Sequence, residues 1–570
     1  MRIKILRVIV GIFFVAILVA LFYLQVIRGD YYFRLSSNNR IRVIPLQGVR
    51  GLIKDRNGVI LADNHHSFDV MIVPQELKDP NEVFSFLGKD LNIAPNVLAG
   101  RYGRRKMTPF APVLVAENIT REQAITLEEN QYLFPAILIE DSFRRVYPQG
   151  RDSAHVLGYV SKINDSRLED LKEYGYSMGS LIGYSGVEEY YDPYLQGVGG
   201  GVQIEVNSRG RQVRLLGIKE PGKGQDITLA VDSRIQKVSA DLLAENKGAI
   251  VVMDMDSGEI LGLSSSPGFD PNIFSQQSNL EISKLFVNPQ SPLINRVIHG
   301  AFPPGSVFKI VVSLCALESK KINSYTRFIC DGFYEVGGTK FGCTHNHGSQ
   351  NMIEAIAHSC NVYFYHAGKI LGSEMLSEYA HLLGLGRKTQ IDLPSEDAGF
   401  VPNSKMSLIE RKRRWYLGDT LNFSIGQGEM QSTPLQLTLM MSIIANDGKV
   451  VHPHVVKAIG YSEVDKFHDV KKLSFDPEDL SIIKKGMRAA VTDPEGTAHI
   501  LDIEGLSIAG KTGTAQAAKN QPNHAWFAGY LKTTKKHIAF CVLLENGGSS
   551  YNSCLLAKEL ILFMQREKII

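Results

Sequence analysis

The feature that most constrains this chain is an uncharged run near its N-terminus, VIVGIFFVAILVALFYLQVI, at residues 8–27. A helix needs about 20 apolar residues to cross the hydrocarbon core of a bilayer. The residues before the run are basic, and positive charge favours the cytoplasmic side of a membrane. We therefore predict a cytoplasmic tail over 1–7, a single transmembrane anchor over 8–27 in the cytoplasmic membrane, and a periplasmic or otherwise extracytoplasmic chain from about residue 28.

This run has two other interpretations. A cleaved signal peptide usually has a shorter apolar core, about 7–15 residues, and a small-residue cleavage site, and no convincing site of that kind follows residue 27. A buried helix of a soluble protein would carry a polar face, and this run has none. We therefore expect an uncleaved anchor.

The rest of the chain has a globular composition. Its 570 residues exceed what one hydrophobic core usually holds, which predicts two or three domains. Hydrophobic residues make up 44% and charged residues 21%, values typical of folded proteins rather than disordered ones. The net charge of +3 comes without a basic stripe interleaved with aromatic residues, so we predict no nucleic-acid partner.

Residues 28–222 have a mixed character without a cluster of catalytic residue types. Asn57-Gly58 lies between short apolar runs, a pattern typical of a β-hairpin. The segment KEPGKGQD at 219–226 is typical of a linker. The sequence predicts an elongated, β-rich, non-catalytic domain over 28–222, here called the pedestal, followed by a catalytic domain over 223–570.

The catalytic domain begins and ends with strand patterns. Two apolar runs flank a turn in GAIVVMDMDSGEILGLSSS (248–266), and three more follow in LSIAGKTGTAQ, HAWFAGYL and HIAFCVLLEN, between 506 and 546. The segments between them have mostly helical patterns. The most economical arrangement is an α+β fold, in which both ends of the domain build one antiparallel sheet with helices on both faces and a helical insert.

A serine and a lysine begin a helical pattern within this domain. In FPPGSVFKIVVSLCALE, Pro-Pro-Gly ends any regular structure of the preceding segment, and an apolar run begins at Ser306 and Lys309. Residues three apart share one face of a helix, and a helix N-terminus stabilises developing negative charge. A buried lysine loses solvation and its pKa falls, so its neutral amine can accept a serine proton. This pattern predicts that Ser306 is a nucleophile and Lys309 its general base.

The Ser-x-x-Lys spacing by itself is weak evidence. Ser481 and Lys484 repeat it in what we interpret as a surface helix, because charged residues follow and no Pro-Pro-Gly precedes. Taken alone, Ser306 is more simply interpreted as a helix N-cap, a position that serine often occupies. Further motifs are needed to favour catalysis.

Two such motifs follow in order. Ser359 and Asn361 form a Ser-x-Asn pair on the next helical segment. A Lys-Thr-Gly-Thr motif lies on the first of the three terminal strands, where we expect the glycine to leave room for a substrate backbone and the other residues to bind a carboxylate. Its members are Lys511, Thr512, Gly513 and Thr514. Each motif has an ordinary structural interpretation, but all three in this order predict one active site.

These motifs are the set known from penicillin-binding proteins and serine β-lactamases. The segments FPPGSVFK, SCN, GDTLNFSIGQGEMQSTPLQL, GKTGTAQ and HAWFAGY resemble the transpeptidase domain of class B penicillin-binding proteins. RGLIKDRNGVILA, RRVYP, AHVLGYV and GYSGVEEYYDPYLQG resemble the dimerisation-like N-terminal domain of that class. The resemblance covers nearly the whole chain and favours the elongation-type branch.

The resemblance implies a peptidoglycan D,D-transpeptidase acting in cell elongation and rod-shape maintenance, with no cofactor for catalysis. Ser306 would attack the penultimate D-Ala carbonyl of a stem peptide with Lys309 as general base, and the last D-Ala would leave. Ser359 and Asn361 would relay protons and hold the substrate amide. Lys511 and the threonines of its motif would bind the terminal carboxylate.

The same resemblance implies ligands and partners. β-Lactams would mimic the D-Ala-D-Ala end and acylate Ser306, whose backbone N–H would form an oxyanion hole with that of Thr514. Residues 28–222 are too short and wrongly patterned for a glycosyltransferase, so polymerisation of glycan strands would need a separate membrane protein. In this family the partner is a SEDS-type glycosyltransferase, contacted together with other elongation-complex membrane proteins through the anchor and the pedestal.

Three cysteines and a histidine near the Ser-x-Asn motif suggest a metal site: Cys330, Cys343, His347 and Cys360, with His345 as an alternative to His347. Three thiolates and one imidazole suit a tetrahedral structural zinc ion. An extracytoplasmic compartment also favours a disulfide, and buried free thiols are a third interpretation. We favour zinc over a disulfide. The remaining cysteines fall in apolar patterns and are predicted core residues: Cys315, Cys541 and Cys554.

Two other functions share the acylation motifs. A serine β-lactamase needs a base that activates water for deacylation, and we assign no glutamate to that role; it also needs no pedestal of this size. A β-lactam sensor or a structural activator of the polymerase would carry an idle serine. We favour the transpeptidase over both.

Overall fold

The structure is a computed structural model that describes residues 2–33, 41–46, 48–105, 112–171, 173, 176, 180–206, 212–276, 278–464, 467 and 470–570. It divides into two compact units. The smaller unit comprises Met1–Gly51, Asn64–Arg144 and Gln196–Gly224, and the larger unit comprises Leu52–Asp63, Arg145–Leu195 and Gln225–Ile570.

The α-helices are numbered in chain order. They are α1 (Arg2–Phe22), α2 (Pro80–Leu91), α3 (Pro95–Arg105), α4 (Arg121–Glu129), α5 (Ala154–Leu157), α6 (Asp165–Leu171), α7 (Gly186–Tyr190), α8 (Asp192–Leu195), α9 (Ser233–Leu243), α10 (Asn272–Ser275), α11 (Asn279–Phe286), α12 (Lys309–Glu318), α13 (Met352–Ala357), α14 (Asn361–Leu371), α15 (Ser373–Leu382), α16 (Ser404–Glu410), α17 (Leu417–Ser424), α18 (Pro434–Ala445), α19 (Pro477–Thr492) and α20 (Ser550–Arg566).

The β-strands are numbered in the same way. They are β1 (Ile41–Leu46), β2 (Ile53–Lys54), β3 (Ile60–Ile72), β4 (Val113–Ile119), β5 (Ile137–Val146), β6 (Val160–Lys162), β7 (Leu181–Gly183), β8 (Gly200–Val206), β9 (Gln212–Lys219), β10 (Ile227–Leu229), β11 (Gly248–Asp254), β12 (Ile260–Ser266), β13 (Phe328–Cys330), β14 (Phe333–Val336), β15 (Thr339–Gly342), β16 (Gly348–Gln350), β17 (Lys449–Val450), β18 (Val456–Ile459), β19 (Ser462–Glu463), β20 (Lys471–Lys472), β21 (Ser507–Ala515), β22 (His524–Lys532) and β23 (His537–Leu544).

The N-terminal apolar run is helical. The helix continues from α1 through a π-helical turn at Tyr23–Ile27, and its apolar span, Ile3–Ile27, is 25 residues long with a mean hydropathy of 3.0. None of the span is buried against the rest of the protein. Among the described residues it is the one helix long and apolar enough to cross a membrane, which fits the predicted single anchor.

Besides the apolar helix, the smaller unit contains a three-stranded sheet and a separate core of helices and strands. Strands β1, β8 and β9 form an antiparallel sheet with β8 in the centre. A separate core forms where helices α2 to α4 pack with β4 and the second half of β3. Asp79 begins α2 by accepting hydrogen bonds from two backbone N–H groups of its first turn, and Pro80 follows at the first helical position.

The larger unit is built on a five-stranded antiparallel sheet in the order β12-β11-β23-β22-β21. Two strands from the start of the predicted catalytic domain and three from its end therefore meet through the pairing of β11 with β23. This is the sheet that the sequence predicted. It leaves β21, which carries the Lys-Thr-Gly-Thr motif, at one edge.

Both faces of this sheet are buried, and successive residues of a strand enter different cores. Along β11, Ala249, Val251 and Met253 pack into one hydrophobic cluster, while Ile250 and Val252 pack into the other. Helices α9 and α20 cover the second face, and α12 and α18 lie on the first. The predicted layers of helices on both faces are confirmed.

The segment between β12 and β21 is largely helical, as predicted, but it also contains short strands. Strand β13 pairs with β16 and β14 pairs with β15, all within residues 328–350. Helix α18 begins as predicted: Thr433 accepts a hydrogen bond from the backbone N–H of Gln436, and Pro434 occupies the first position.

The compact units do not follow the predicted boundary at residue 222. Leu52–Asp63 and Arg145–Leu195 come from the predicted pedestal but belong to the larger unit. The reason is burial, because side chains of the second segment, such as Val156, share a hydrophobic cluster with residues of α12. The division into a pedestal over 28–222 and a catalytic domain over 223–570 therefore stays a prediction about domains rather than a description of these units.

Candidate active site

Ser306 lies in a single turn of 3₁₀-helix, Gly305–Phe308, that leads directly into α12. Pro304 precedes this turn and Phe308 precedes the α-helix, and neither makes a side-chain capping bond. Ser306 is therefore not the N-cap of either helix, which removes the simplest structural explanation for a serine at this position. Its side chain is half-buried, whereas both neighbouring residues are buried.

Lys309 is the first residue of α12 and is fully buried. Its Nζ donates hydrogen bonds to the backbone carbonyl of Ser359 over 2.7 Å and to Oδ1 of Asn361 over 2.6 Å, and lies 3.3 Å from Oγ of Ser359. Burial lowers the pKa of Lys309 to about 8, an effect that nearby thiolates, Cys343 first, partly oppose. About a tenth of its amine is therefore neutral at pH 7, far more than for an exposed lysine.

The Ser-x-Asn motif forms a tight loop between α13 and α14. Ser359 has φ +57°, a left-handed conformation that is uncommon for residues other than glycine. This backbone directs the Ser359 carbonyl to Lys309, while Asn361 begins the next helix. The structure thus places Ser306 in a helical turn, Lys309 at the start of α12, and the Ser-x-Asn motif at the loop before α14. Lys309 is hydrogen bonded directly to Ser359 and Asn361.

Lys511 is fully buried on the edge strand β21. Its Nζ lies 3.1 Å from the backbone carbonyl and 3.4 Å from Oγ of Thr512. Burial, and then the charge of Lys309, hold the pKa of Lys511 well below its usual range. No carboxylate among the described side chains forms an ion pair with it, so an ammonium at this position would be stabilised by an anion from outside the chain.

The turn carrying Ser306 lies against β21. A Cβ atom added to Gly305, whose φ is +55°, would lie 2.7 Å from the carbonyl oxygen of Thr514. A Cβ atom added to Gly513 would lie 2.7 Å from the carbonyl oxygen of Pro304. The side of Gly513 where a side chain would point is therefore filled by this chain's own backbone. Binding of a substrate backbone along the edge of the strand stays a prediction.

Sequence reasoning assigned no role to two residues that contact these motifs. Gln427 donates from Nε2 to the carbonyl of Thr514 over 3.2 Å and accepts from the backbone N–H of Gln516 over 3.3 Å. Thr497 accepts a hydrogen bond from the hydroxyl of Thr512 over 2.9 Å. The two glycines that flank Gln427 are a local signal of a tight loop; Thr497 has no such signal.

The four predicted metal ligands converge. The ligand atoms of Cys330, Cys343, His347 and Cys360 all lie within 4.8 Å of one another. Nδ1 of His347 lies 3.5 Å from the sulfur of Cys330 and 3.5 Å from that of Cys343. His345 is not part of this group, since it contributes its backbone carbonyl as an acceptor for Cys330. The structure thus brings His347 rather than His345 to the three sulfurs.

A hydrogen bond between Cys360 and Cys343 favours the thiolate at Cys343 and the thiol at Cys360. A hydrogen bond from the Cys360 thiol and others from backbone N–H groups lower the pKa of Cys343, whereas the same bond to Cys343 raises the pKa of Cys360. All six cysteines of the chain are free of disulfide bonds. The three predicted core cysteines, Cys315, Cys541 and Cys554, are fully buried as predicted.

Comparison with protein families identifies the chain. The family model of the penicillin binding protein transpeptidase domain matches residues 248–561, more than half of the sequence. The chain belongs to the penicillin-binding proteins. A second family model, the penicillin-binding protein dimerisation domain, matches residues 45–229 and overlaps most of the predicted pedestal.

Individual penicillin-binding proteins match over nearly the whole chain. The peptidoglycan D,D-transpeptidase MrdA of Acinetobacter baumannii is 34% identical over 560 residues, which cover 94% of this chain and 83% of that protein. The complex between penicillin-binding protein PBP2 and MreC from Helicobacter pylori has a TM-score of 0.83 and 30% identity, covering 93% of this chain and 100% of that one. A structure of a peptidoglycan synthase complex that coordinates polymerization and crosslinking has a TM-score of 0.74 and 28% identity, covering 99% and 98%.

These matches confirm the predicted family, fold and activity. The chain is an enzyme, a peptidoglycan D,D-transpeptidase of the elongation type, with a mixed α+β transpeptidase fold that follows an N-terminal dimerisation domain. This activity separates it from the serine β-lactamase and the non-enzymatic sensor considered above.

Proposed function

We propose that this D,D-transpeptidase uses Ser306 as its nucleophile and Lys309 as the general base. The observation that carries the proposal is the environment of the lysine, which is fully buried and hydrogen bonded to the neutral groups of Ser359 and Asn361. No ion pair to Lys309 occurs among the described residues. A lysine in such surroundings loses its proton more readily than an exposed one and can accept the proton of a serine.

In the proposed acylation step, the hydroxyl of Ser306 gives its proton to the neutral amine of Lys309 while Oγ bonds to the carbonyl carbon of the penultimate D-Ala. The C–N bond to the last D-Ala then breaks, and the proton passes from Lys309 to its nitrogen through the hydroxyl of Ser359, while Asn361 holds the substrate amide, so that free D-Ala leaves. The backbone N–H groups of Ser306 and Thr514 would stabilise the oxyanion. The amine of a second stem peptide then attacks the ester, gives up one proton, and releases Ser306 as the cross-link forms.

The terminal carboxylate of the stem peptide would bind at Lys511. This lysine is fully buried, and among the described residues its hydrogen-bond partners are the backbone carbonyl and the hydroxyl of Thr512. A carboxylate would supply the missing negative charge and form charge-assisted hydrogen bonds with Lys511, Thr512 and Thr514. β-Lactams, which carry a carboxylate at the matching position, would be recognised in the same way and would acylate Ser306.

A reaction of two synthetic stem peptides tests these roles. We expect the full chain to release one D-Ala for each cross-link formed between a pentapeptide donor and an amine acceptor. Ser306→Ala should abolish both products, and Lys309→Met should slow them by about 10²–10⁴-fold, the usual contribution of a general base. D-Ala release at the wild-type rate by either variant would refute the assignment.

We also propose that the cysteine cluster holds a structural zinc ion. The donor set fits, because three sulfurs and one imidazole nitrogen are the ligands of closed tetrahedral zinc sites and here lie within 4.8 Å of one another. Cys330, Cys343, His347 and Cys360 would hold the ion, which would supply no chemistry to acyl transfer and would fix the Ser-x-Asn loop. Metal analysis of the purified protein tests this proposal. We expect about one equivalent of zinc for each chain. Less than one-tenth of an equivalent, together with a titratable disulfide, would refute it.

Finally, we propose that the apolar helix anchors the enzyme in the cytoplasmic membrane with the active site in the periplasm, beside a SEDS-type glycosyltransferase. The span of Ile3–Ile27 and the basic residues at its start support the orientation. The similarity to PBP2 bound to MreC and to a peptidoglycan synthase complex supports partners of the elongation machinery. We expect the full chain to co-purify with the polymerase. If it still did so after residues 2–27 were replaced by an unrelated anchor, a contact through the anchor would be contradicted.

A further inference from the structure

Thr497 connects two of the three catalytic motifs. Its backbone N–H donates to the carbonyl of Ala357 over 3.2 Å, two residues before Ser359, and its hydroxyl lies 3.4 Å from the same carbonyl. On its other side, the hydroxyl of Thr512 donates to the hydroxyl of Thr497 over 2.9 Å. The end of α13, which leads into the Ser359 loop, and the strand of Lys511 are thus joined through one residue.

The direction of these hydrogen bonds matters because each hydroxyl has one proton to donate. In the structure the Thr512 hydroxyl donates to Thr497, so its proton is not available to a ligand. A carboxylate beside Lys511 would be a stronger acceptor than a neutral hydroxyl, because hydrogen bonds to charged groups are shorter and stronger. Thr512 would then turn its proton to the carboxylate.

That turn would leave the oxygen of Thr512 free to accept. The hydroxyl of Thr497 is the neighbouring donor, since it lies 2.9 Å away and needs only to rotate from the carbonyl of Ala357. The carbonyl does not lose its partner, because the backbone N–H of Thr497 still donates to it. The pair of threonines can therefore reverse its hydrogen bond without leaving a group unsatisfied.

We propose that Thr497 is a positioning residue for the substrate carboxylate, which acts by donating to Thr512 when Thr512 donates to the ligand. The proposal rests on the role of Lys511 and Thr512 in carboxylate binding proposed above. Thr497 is exposed, so a change of its side chain does not disturb a core. Its contribution is specific to ligands that carry a negative charge at this position.

A comparison of charged and neutral ligands tests this role. The probes are benzylpenicillin, which has a free carboxylate, and its methyl ester, which does not. Thr497→Val removes the hydroxyl but keeps the shape of the side chain, and Thr497→Ser keeps the hydroxyl. Thr492→Val is the matched control, because the Thr492 hydroxyl donates to the carbonyl of Arg488 in its own helix.

We expect Thr497→Val to slow acylation of Ser306 by benzylpenicillin about 3- to 10-fold, the effect of one hydrogen bond between neutral groups. Acylation by the ester should change less than about twofold, and Thr497→Ser and Thr492→Val should behave as wild type. An equal loss with both probes would show a merely structural role, and no loss with either would show no role. If the wild-type enzyme itself did not distinguish acid from ester, the proposed carboxylate site would fail instead.

Discussion

The backbone N–H of Asn361 donates a hydrogen bond to the sulfur of Cys343 over 3.1 Å. The side chain of the same asparagine donates to the carbonyl of Gly342 over 3.1 Å and accepts from Nζ of Lys309 over 2.6 Å. One residue therefore joins the cysteine cluster to the proposed general base. Movement of the cluster would displace the acceptor that holds Lys309 in place.

This link leads to the first prediction, which concerns Cys343→Ala. We expect the variant to bind under one-tenth of an equivalent of zinc, against about one for the wild type if the cluster holds the proposed ion, and to acylate with penicillin at least about 10-fold more slowly. The reason is that Asn361 loses its sulfur acceptor and the loop loses a ligand of the proposed metal site. Metal analysis and acylation kinetics on the same preparation measure both effects.

The matched control for this prediction is Cys541→Ala, which changes a fully buried cysteine on the central sheet. It should keep both zinc and acylation. A Cys343→Ala enzyme without zinc but with a normal acylation rate would show that the cluster and the catalytic loop are independent.

A second prediction concerns pH. Because burial lowers the pKa of Lys309 to about 8, acylation of Ser306 should rise with pH up to that value and level off above it, as the neutral amine becomes the major form. Pre-steady-state acylation by penicillin measured from pH 6 to pH 9.5 tests this. A rate that is constant over the whole range, or that falls as pH rises to 8, would contradict Lys309 as the base.

The sequence predicted the sheet and the motifs because both depend on local patterns. Apolar strands such as β11 and β23 are recognisable from their composition, and Ser306, Ser359 and Lys511 stand in short motifs. Their grouping in one active site was predicted from the order of the three motifs and from the family resemblance. The hydrogen bonds of Lys309 join residues about 50 positions apart, and no local pattern specifies them.

Other features depended on packing that the sequence does not display. Thr497 and Gln427 act through contacts with distant strand residues, so neither forms a recognisable motif. The close contact of Gly513 with the backbone of Pro304 joins residues more than 200 positions apart, and no local pattern specifies it. The strands β14 and β15 are largely exposed, and without buried alternate residues their pattern does not indicate a sheet.

A third prediction concerns Gln427, whose side-chain amide is hydrogen bonded to Thr514 on the edge strand β21 and to Gln516 just beyond the end of that strand. A carboxamide that donates to one residue and accepts from the residue two further on imitates a neighbouring parallel strand. Gln427→Ala should therefore loosen the strand that carries the proposed oxyanion donor, and acylation should slow about 10-fold.

Gln427→Glu provides a sharper test of the same contact. A carboxylate accepts from the backbone N–H of Gln516 but has no proton to donate to Thr514. We expect acylation by Gln427→Glu to be at least as slow as by Gln427→Ala. Wild-type rates in both variants would show that the amide does not position the strand.

A fourth prediction concerns Gly513→Ala. The new Cβ would lie 2.7 Å from the carbonyl oxygen of Pro304, too close for a normal contact, so the turn of Ser306 must move. Overpacking of this kind typically costs about 1–3 kcal/mol. Thermal unfolding should show a lower midpoint and acylation should be slower, whereas Gly217→Ala, where a Cβ meets nothing within 4 Å, should leave both unchanged. A stable, fully active Gly513→Ala enzyme would contradict the contact between turn and strand.

The most direct test of the mechanism is the mass of the protein after treatment with ampicillin, followed by peptide mapping. We expect one covalent adduct for each chain, located on the peptide that contains Ser306, persisting for minutes or longer and absent from Ser306→Ala. An unmodified protein, or an adduct on any other residue, would show that Ser306 is not the nucleophile.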